Sequence, residues 1–217
     1  MPVERKADKQ ARALEILRRL EETYPDADCA LNWKNPFQLL VATILSAQCS
    51  DEQVNKVTPE LFKRYPNPAA LASATQEEVE ERIRKLGLFR NKAKSLRGMS
   101  AQLCEEFDAD VPKDMDSLTS LPGVARKTAN CVLGTAYNIP SGVVVDTHVQ
   151  RLSIRMGLCK RTEKYAEKVE KALMPLFPQD EWVFLSHAII LHGRQICSAR
   201  KPLCEECPLD DVCPKRI

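Results

Sequence analysis

The sequence predicts an all-α protein, and three observations predict it. Apolar residues recur at helical spacing along nearly the whole chain. No stretch sustains the alternation of a strand. Helix-start signals recur between the apolar runs. Leu14, Leu17 and Leu20 give a first amphipathic helix, ended by Tyr24-Pro25. Asn35 before Pro36 reads as a cap with proline at the first helical position, opening a buried helix through Ala47. Ser50-Asp51-Glu52-Gln53 and Thr75-Gln76-Glu77-Glu78 both match the capping box, in which each side chain satisfies the other residue's orphan amide. Gly87 stops the second of these helices. Further helical patterns cover 91–106, 114–120, 126–137, 147–156, 163–177 and 181–196. Val143-Val144-Val145, between Gly142 and a helix start, is expected to be a buried connector. There is no solenoid repeat and no low-complexity linker.

At 217 residues the chain has enough sequence for a substantial core, as one large domain or two small ones. With 44% hydrophobic and 29% charged residues it has the composition of a folded globular protein. A net charge of +2 proves no anionic partner, so nucleic-acid binding has to be argued from local sites. The start, Met1-Pro2-Val3-Glu4-Arg5-Lys6, runs into a charged helical pattern without an apolar core. The longest apolar run, 39–45, is interrupted by Thr43 and is far too short to span a bilayer. A soluble, intracellular protein is expected, with no membrane partner. Nine cysteines cannot pair fully. Cys29, Cys49, Cys104, Cys131 and Cys159 are scattered and read as buried thiols, while the other four fall within 197–213.

Leu121-Pro122-Gly123-Val124-Ala125-Arg126-Lys127 lies between two short helical patterns. Proline and glycine end the first, and Gly123 permits the backbone of a tight turn. A second helix opens at about Ala125. Free amides at its start, backed by the helix dipole, make a seat for a DNA phosphate. This is the pattern of a helix–hairpin–helix, whose contacts position DNA without reading its sequence. Lys127 falls in the first turn of that second helix, where a cation is disfavoured. A nucleophilic amine must shed its proton, at a cost of about 4–5 kcal/mol at pH 7 from a reference pKa near 10.4. The dipole offsets ~0.3–2 kcal/mol of this, and desolvation in a cleft has to supply most of the rest. A surface lysine, or one more phosphate contact, is the plain alternative.

Val143-Val144-Val145-Asp146-Thr147-His148-Val149 ends a buried run with one acid at a helix start. Asp146 fits an N-cap, and Thr147 with Gln150 offers another capping box. A cap can still leave one carboxylate oxygen facing a cleft. An ionised Asp146 beside Lys127 would stabilise the unreactive ammonium, which argues against a direct base. Stabilising an oxocarbenium-like sugar, or relaying a proton through water, fits better. Cys197, Cys204, Cys207 and Cys213 form C-x6-C-x2-C-x5-C, kept out of helix by Pro202, Pro208 and Pro214. Four thiolates in a short loop bind metal, and either zinc or a [4Fe–4S] cluster satisfies the spacing. Arg200 and Lys201 sit in the first loop, where a rigid centre would hold them against phosphates.

In this order, 121–130 (LPGVARKTAN), 145–149 (VDTHV) and the four-cysteine tail resemble the endonuclease III family of helix–hairpin–helix DNA glycosylases. Residues 39–48 (LLVATILSAQ) and 87–93 (GLFRNKA) add to the likeness, which covers almost the whole chain. The resemblance implies a six-helix barrel domain over 29–139 and an iron–sulfur cluster domain built from 1–28 and 140–217. It implies double-stranded DNA with damaged bases or abasic sites as partner, and a [4Fe–4S] cluster on the four cysteines. Such enzymes flip an oxidised pyrimidine out of the duplex. The matching Lys127 then displaces the base from the sugar as a Schiff base, and β-elimination nicks the strand. Asp146 is the matching carboxylate. Gln48 would fill the hole left by the extruded nucleotide, and Leu88 would wedge the opposite strand. Gly123, Ala125 and His148 join the expected DNA contacts. His187 and His192 carry no assignment. One departure stands out: the family hairpin commonly has glycine where this chain has Ala125, which predicts slightly altered phosphate contact.

An adenine mismatch glycosylase shares the fold, the cluster and the aspartate, but that family lacks the hairpin lysine and carries a further domain. A non-catalytic DNA-binding module leaves Lys127 and Asp146 without a role, and an electron carrier leaves the hairpin idle. The expected protein is a monomeric enzyme of the cytoplasm, at the nucleoid when bound to DNA.

Overall fold

The computed structural model describes residues 4–163 and 165–216. The stretch expected to lead into the first helix therefore falls partly outside the described residues, at 1–3, as does Lys164 within the expected 163–177 helix. Among the described residues the chain is all-α, with no strand. Its helices are α1 (Lys6–Thr23), α2 (Pro36–Leu45), α3 (Asp51–Arg64), α4 (Pro68–Ala72), α5 (Gln76–Ile83), α6 (Phe89–Glu106), α7 (Met115–Ser120), α8 (Arg126–Tyr137), α9 (Thr147–Arg155), α10 (Ala166–Leu173) and α11 (Trp182–Gln195). The chain divides into two compact units, one spanning 29–139 and the other combining the segment up to 28 with that from 140 onward.

In the 29–139 unit the central element is α2. Leu39, Leu40, Val41 and Ala42 are consecutive and all fully buried, so this helix is enclosed on every side. It packs on α8, α3 and α6, and each buried leucine contributes about 1.5–3 kcal/mol. Asn35 accepts the Gln38 N–H at 2.9 Å, with Pro36 in the first turn. Thr75 and Glu78 complete a reciprocal capping box, whereas Ser50 only accepts the Gln53 N–H. The short helix α4 starts on the same Asn-Pro signal, Asn67-Pro68, and lies against α6. The periodicity reading passes over it because five residues cannot display a period.

The other unit packs α1 and α9 on α11, and α10 on α9. In α1 the buried face is Ala13, Ile16, Leu17 and Leu20. Leu14 was expected on that face but is 42% exposed, one residue round the helix from Ala13. The helix expected over 163–177 is shorter, because Pro175 lacks an N–H and the chain tightens into a 3-10 turn at Met174–Leu176. Val143, Val144 and Val145 form the expected buried connector, and the Val144 N–H donates to Ser186 Oγ at 2.9 Å.

Candidate functional site

The hairpin is a tight turn between α7 and α8. Asp114 caps α7 by accepting the Ser117 N–H at 2.8 Å, and the Val124 N–H closes the turn on the Leu121 carbonyl at 3.1 Å. Gly123 has φ +81°, and a Cβ there would stand 2.7 Å from the Ser95 Cβ on α6. Both the backbone angle and the closeness require glycine. Ala125, the departure from the family hairpin, has φ −92° and ψ 166°, ordinary extended backbone on which a methyl carries no strain. No side chain of Ala125 caps the start of α8, and the amides and dipole of a helix start suit an anion. Lys127 is the second residue of that helix and is exposed. One turn behind it, the Cys131 thiol is held at about 7 chiefly by a hydrogen bond with Cys29, aided by Thr43 and Thr135 and by the charge of Lys127. At its far end α8 closes on Asn138 in the left-handed conformation, with the Ile139 N–H bonded to the Leu133 carbonyl at 2.9 Å.

Gln48 and Leu88 share an uncommon feature. Both have φ +56° without being glycine, a conformation that persists only where the surroundings hold it. Gln48 is exposed and Leu88 is 53% exposed. The structure brings their turns together: the Gly87 N–H donates to Cys49 Sγ at 3.3 Å, and the Lys92 ammonium donates to the same sulfur at 3.1 Å.

Asp146 lies in the other unit, as the N-cap of α9. Its Oδ1 accepts the Val149 N–H at 2.8 Å, so the cap reading holds and no Thr147 cap is needed. His148 is half-buried, with Nδ1 at 3.2 Å from Arg151 Nη2. It packs so closely on α11 that a Cβ at Gly193 would stand 2.8 Å from that nitrogen. Desolvation lowers the His148 pKa below the ordinary histidine value, with Asp146 opposing the shift.

Cys197, Cys204, Cys207 and Cys213 line one cavity, together with Arg155, His192 and Leu209. Among the described residues no three Cys, His, Asp or Glu side chains converge closely enough to hold a single ion. Four cysteines lining one cavity supply the donor set of a four-thiolate iron–sulfur cluster. The surroundings fit as well, because N–H donors point at the sulfurs. Arg155 Nη1 donates to Cys197 Sγ at 3.3 Å, and the Leu209 N–H to Cys207 Sγ at 3.4 Å. Arg200 and Lys201 are exposed in the loop after Cys197, which is tied off by Ser198 Oγ donating to the Lys201 carbonyl at 2.6 Å.

Sequence reasoning missed Arg155 and His192. Arg155 is buried and also donates to the Ser198 and Ala199 carbonyls, both at 2.7 Å. Buried His192 stands between Tyr24 Oη at 3.1 Å and Cys207 Sγ at 3.5 Å, and burial drops its pKa to about 4. Neither is near its sulfur in the chain, with His192 in the last turn of α11 and Arg155 at the end of α9, so no local spacing marks them. Of the scattered cysteines only Cys159 is buried, and the other four are half-buried.

Residues 41–179 match the HhH-GPD superfamily of base excision DNA repair proteins, and 197–213 match the iron–sulfur binding domain of endonuclease III. Hairpin, helix start and cysteine cavity thus belong to a helix–hairpin–helix DNA-repair protein. Endonuclease III of Synechocystis sp. is 56% identical over 208 residues, spanning 96% of this chain and 94% of that one. Endonuclease III of Bacillus subtilis is 43% identical over 91% of this chain and 89% of its own. The solved structure of a trapped endonuclease III–DNA covalent intermediate has a TM-score of 0.90 at 42% identity, covering 95% of this chain and 96% of that one. The chain belongs to the endonuclease III family. It is a base-excision DNA glycosylase with abasic-site lyase activity, and it carries a [4Fe–4S] cluster.

Proposed function

We propose that Lys127 is the nucleophile and Asp146 the stabilising carboxylate of a glycosylase that removes oxidised pyrimidines from double-stranded DNA. The single observation that carries the reading is the exposed Lys127 amine in the first turn of α8, directly after the hairpin. The helix amides and the Gly123–Ala125 turn hold a phosphate, which brings the damaged nucleotide to the lysine. Gln48 fills the place of the extruded nucleotide and Leu88 wedges the opposite strand. As the glycosidic bond lengthens, the ionised Asp146 offsets positive charge on the sugar. The unprotonated Lys127 Nζ bonds to C1′, the base leaves with the bonding pair, and loss of a proton from nitrogen and ring opening give the protonated Schiff base. Removal of a C2′ proton then expels the 3′ phosphate, and water releases the lysine.

His148, Arg200 and Lys201 contact DNA beside the lesion. Cys197, Cys204, Cys207 and Cys213 ligate the cluster, whose part is to hold that loop rigid. The 29–139 unit is the barrel domain, and the unit of both termini is the cluster domain. The substrate puts the enzyme in the cytoplasm, at the nucleoid while bound. No helix among the described residues is long and apolar enough to cross a membrane. A covalent intermediate with DNA has been trapped in the relative of known structure, which supports the same chemistry here.

The test is to incubate the protein with duplex DNA bearing an abasic site and add borohydride. Wild type is expected to form a covalent adduct, and Lys127→Ala to form none. Strand cutting by wild type without any adduct would overturn the assignment.

A further inference from the structure

Lys92 has no evident reason to be where it is. It is the fourth residue of α6, near a helix start where a cation is disfavoured, and no acidic residue stands in that first turn. It is also only 4% exposed, and a buried ammonium persists only when its hydrogen bonds are met. Its donor contact is Cys49 Sγ, at 3.1 Å. The same sulfur accepts the Gly87 N–H at 3.3 Å. Cys49 therefore receives one donor from the residue before Leu88 and one from the fourth residue after it, while following Gln48 directly in the chain. The Cys49 N–H reaches back to the Ser46 carbonyl at 3.1 Å, and the Lys92 N–H to the Leu88 carbonyl at 3.0 Å. One sulfur thus ties together two turns whose tips, Gln48 and Leu88, both have left-handed backbone.

We infer that Cys49 and Lys92 are positioning residues that fix the separation of Gln48 and Leu88, so that hole filling and strand wedging occur together. The inference rests on the insertion roles proposed for those two tips. Neither Cys49 nor Lys92 touches the reacting sugar. They matter only where there is a second strand to wedge and a stacked hole to fill. An abasic site in single-stranded DNA offers neither, yet it still presents its sugar to the lysine.

The experiment compares single-turnover cleavage of one abasic strand, alone and in duplex, for Cys49→Ala, Cys49→Ser, Lys92→Met, Gln48→Ala and Leu88→Ala in the cluster-loaded protein. Cys49→Ala and Lys92→Met are expected to slow duplex cleavage by about ten- to a hundredfold, the scale of a small misplacement, and to leave single-strand cleavage at the wild-type rate. Cys49→Ser keeps an acceptor for both donors and is expected to recover most of the duplex rate. Equal losses on both substrates would make the pair a mere packing contact, and an undiminished duplex rate would make it idle. Either result overturns the inference. If Gln48→Ala and Leu88→Ala leave duplex cleavage intact, the insertion roles fall and the positioning role falls with them. If those two slow it while Cys49→Ala and Lys92→Met do not, the positioning role alone is lost.

Discussion

At Asp146 one carboxylate oxygen accepts the Val149 N–H at 2.8 Å, which leaves the other for a second task. Asparagine caps a helix as well as aspartate does but carries no charge. Asp146→Asn is therefore expected to melt within a degree or two of wild type, about the scale of a surface change, while excising bases about a hundredfold more slowly. Asp146→Ala should show the same slow excision and also lose about 1 kcal/mol of stability. Thermal melts and single-turnover assays on both variants separate the two tasks, and equal rates for wild type and Asp146→Asn would reduce the residue to a cap. At Gly123, alanine would meet the Ser95 Cβ at 2.7 Å and sit at φ +81°. Gly123→Ala is expected to cost about 1–3 kcal/mol and to weaken binding to undamaged duplex, whereas Ala125→Gly, at an ordinary φ, should leave both near wild type. Calorimetry and binding titrations decide it.

Among the elements, α9 joins the two halves of its unit's chemistry: Asp146 caps its first turn, and Arg155 ends it under the cysteine loop. Arg155→Met removes the N–H···S contact to Cys197 and leaves the Ser198 and Ala199 carbonyls without their donor. Stability should fall by about 2–3 kcal/mol, and the reduction potential of the cluster should fall as well, because donors to the sulfurs favour the more negative state. Film voltammetry reads the second effect, and an unchanged potential would show that the guanidinium serves the loop alone. Helix starts were legible in the sequence where a local cap opens a run long enough to show a period, as at Asn35-Pro36, Thr75-Glu78 and Asp146. The hairpin, Lys127 and the cysteine spacing were legible for the same reason, since neighbouring residues define each. Arg155 and His192 were not, because they meet their sulfurs across long stretches of chain. Nor was the left-handed backbone at Gln48 and Leu88, which neither residue type announces. α4 was missed although Asn67-Pro68 repeats the signal seen at Asn35-Pro36.

At the scale of the molecule, the first helix belongs with the last residues. Arg12 Nη1 donates to the Met156 carbonyl at 2.6 Å, and Arg19 Nη1 to the Pro208 carbonyl at 2.9 Å. Arg19 also pairs with Asp211 and with Glu15, whose carboxyl is held at about 2 by Arg18 and Arg19. Tyr24 meets His192, which meets Cys207. Stripping iron with a chelator should therefore loosen α1 together with the cysteine segment. Limited proteolysis of the stripped protein is expected to cut within 4–28 and 196–216 well before it cuts 29–139, and a uniform pattern of cuts would deny the coupling. The arrangement also bears on how the protein is made. When α1 leaves the ribosome its apolar stripe, Ala13, Ile16, Leu17 and Leu20, has nothing to lie against until α11 emerges. The intervening 29–139 unit has its own core and is free to collapse while translation continues. The cysteine segment adds a polar clasp, through the Pro208 carbonyl and Asp211 on Arg19, so a cell short of iron would hold chains whose α1 is seated on α11 but loosely fastened.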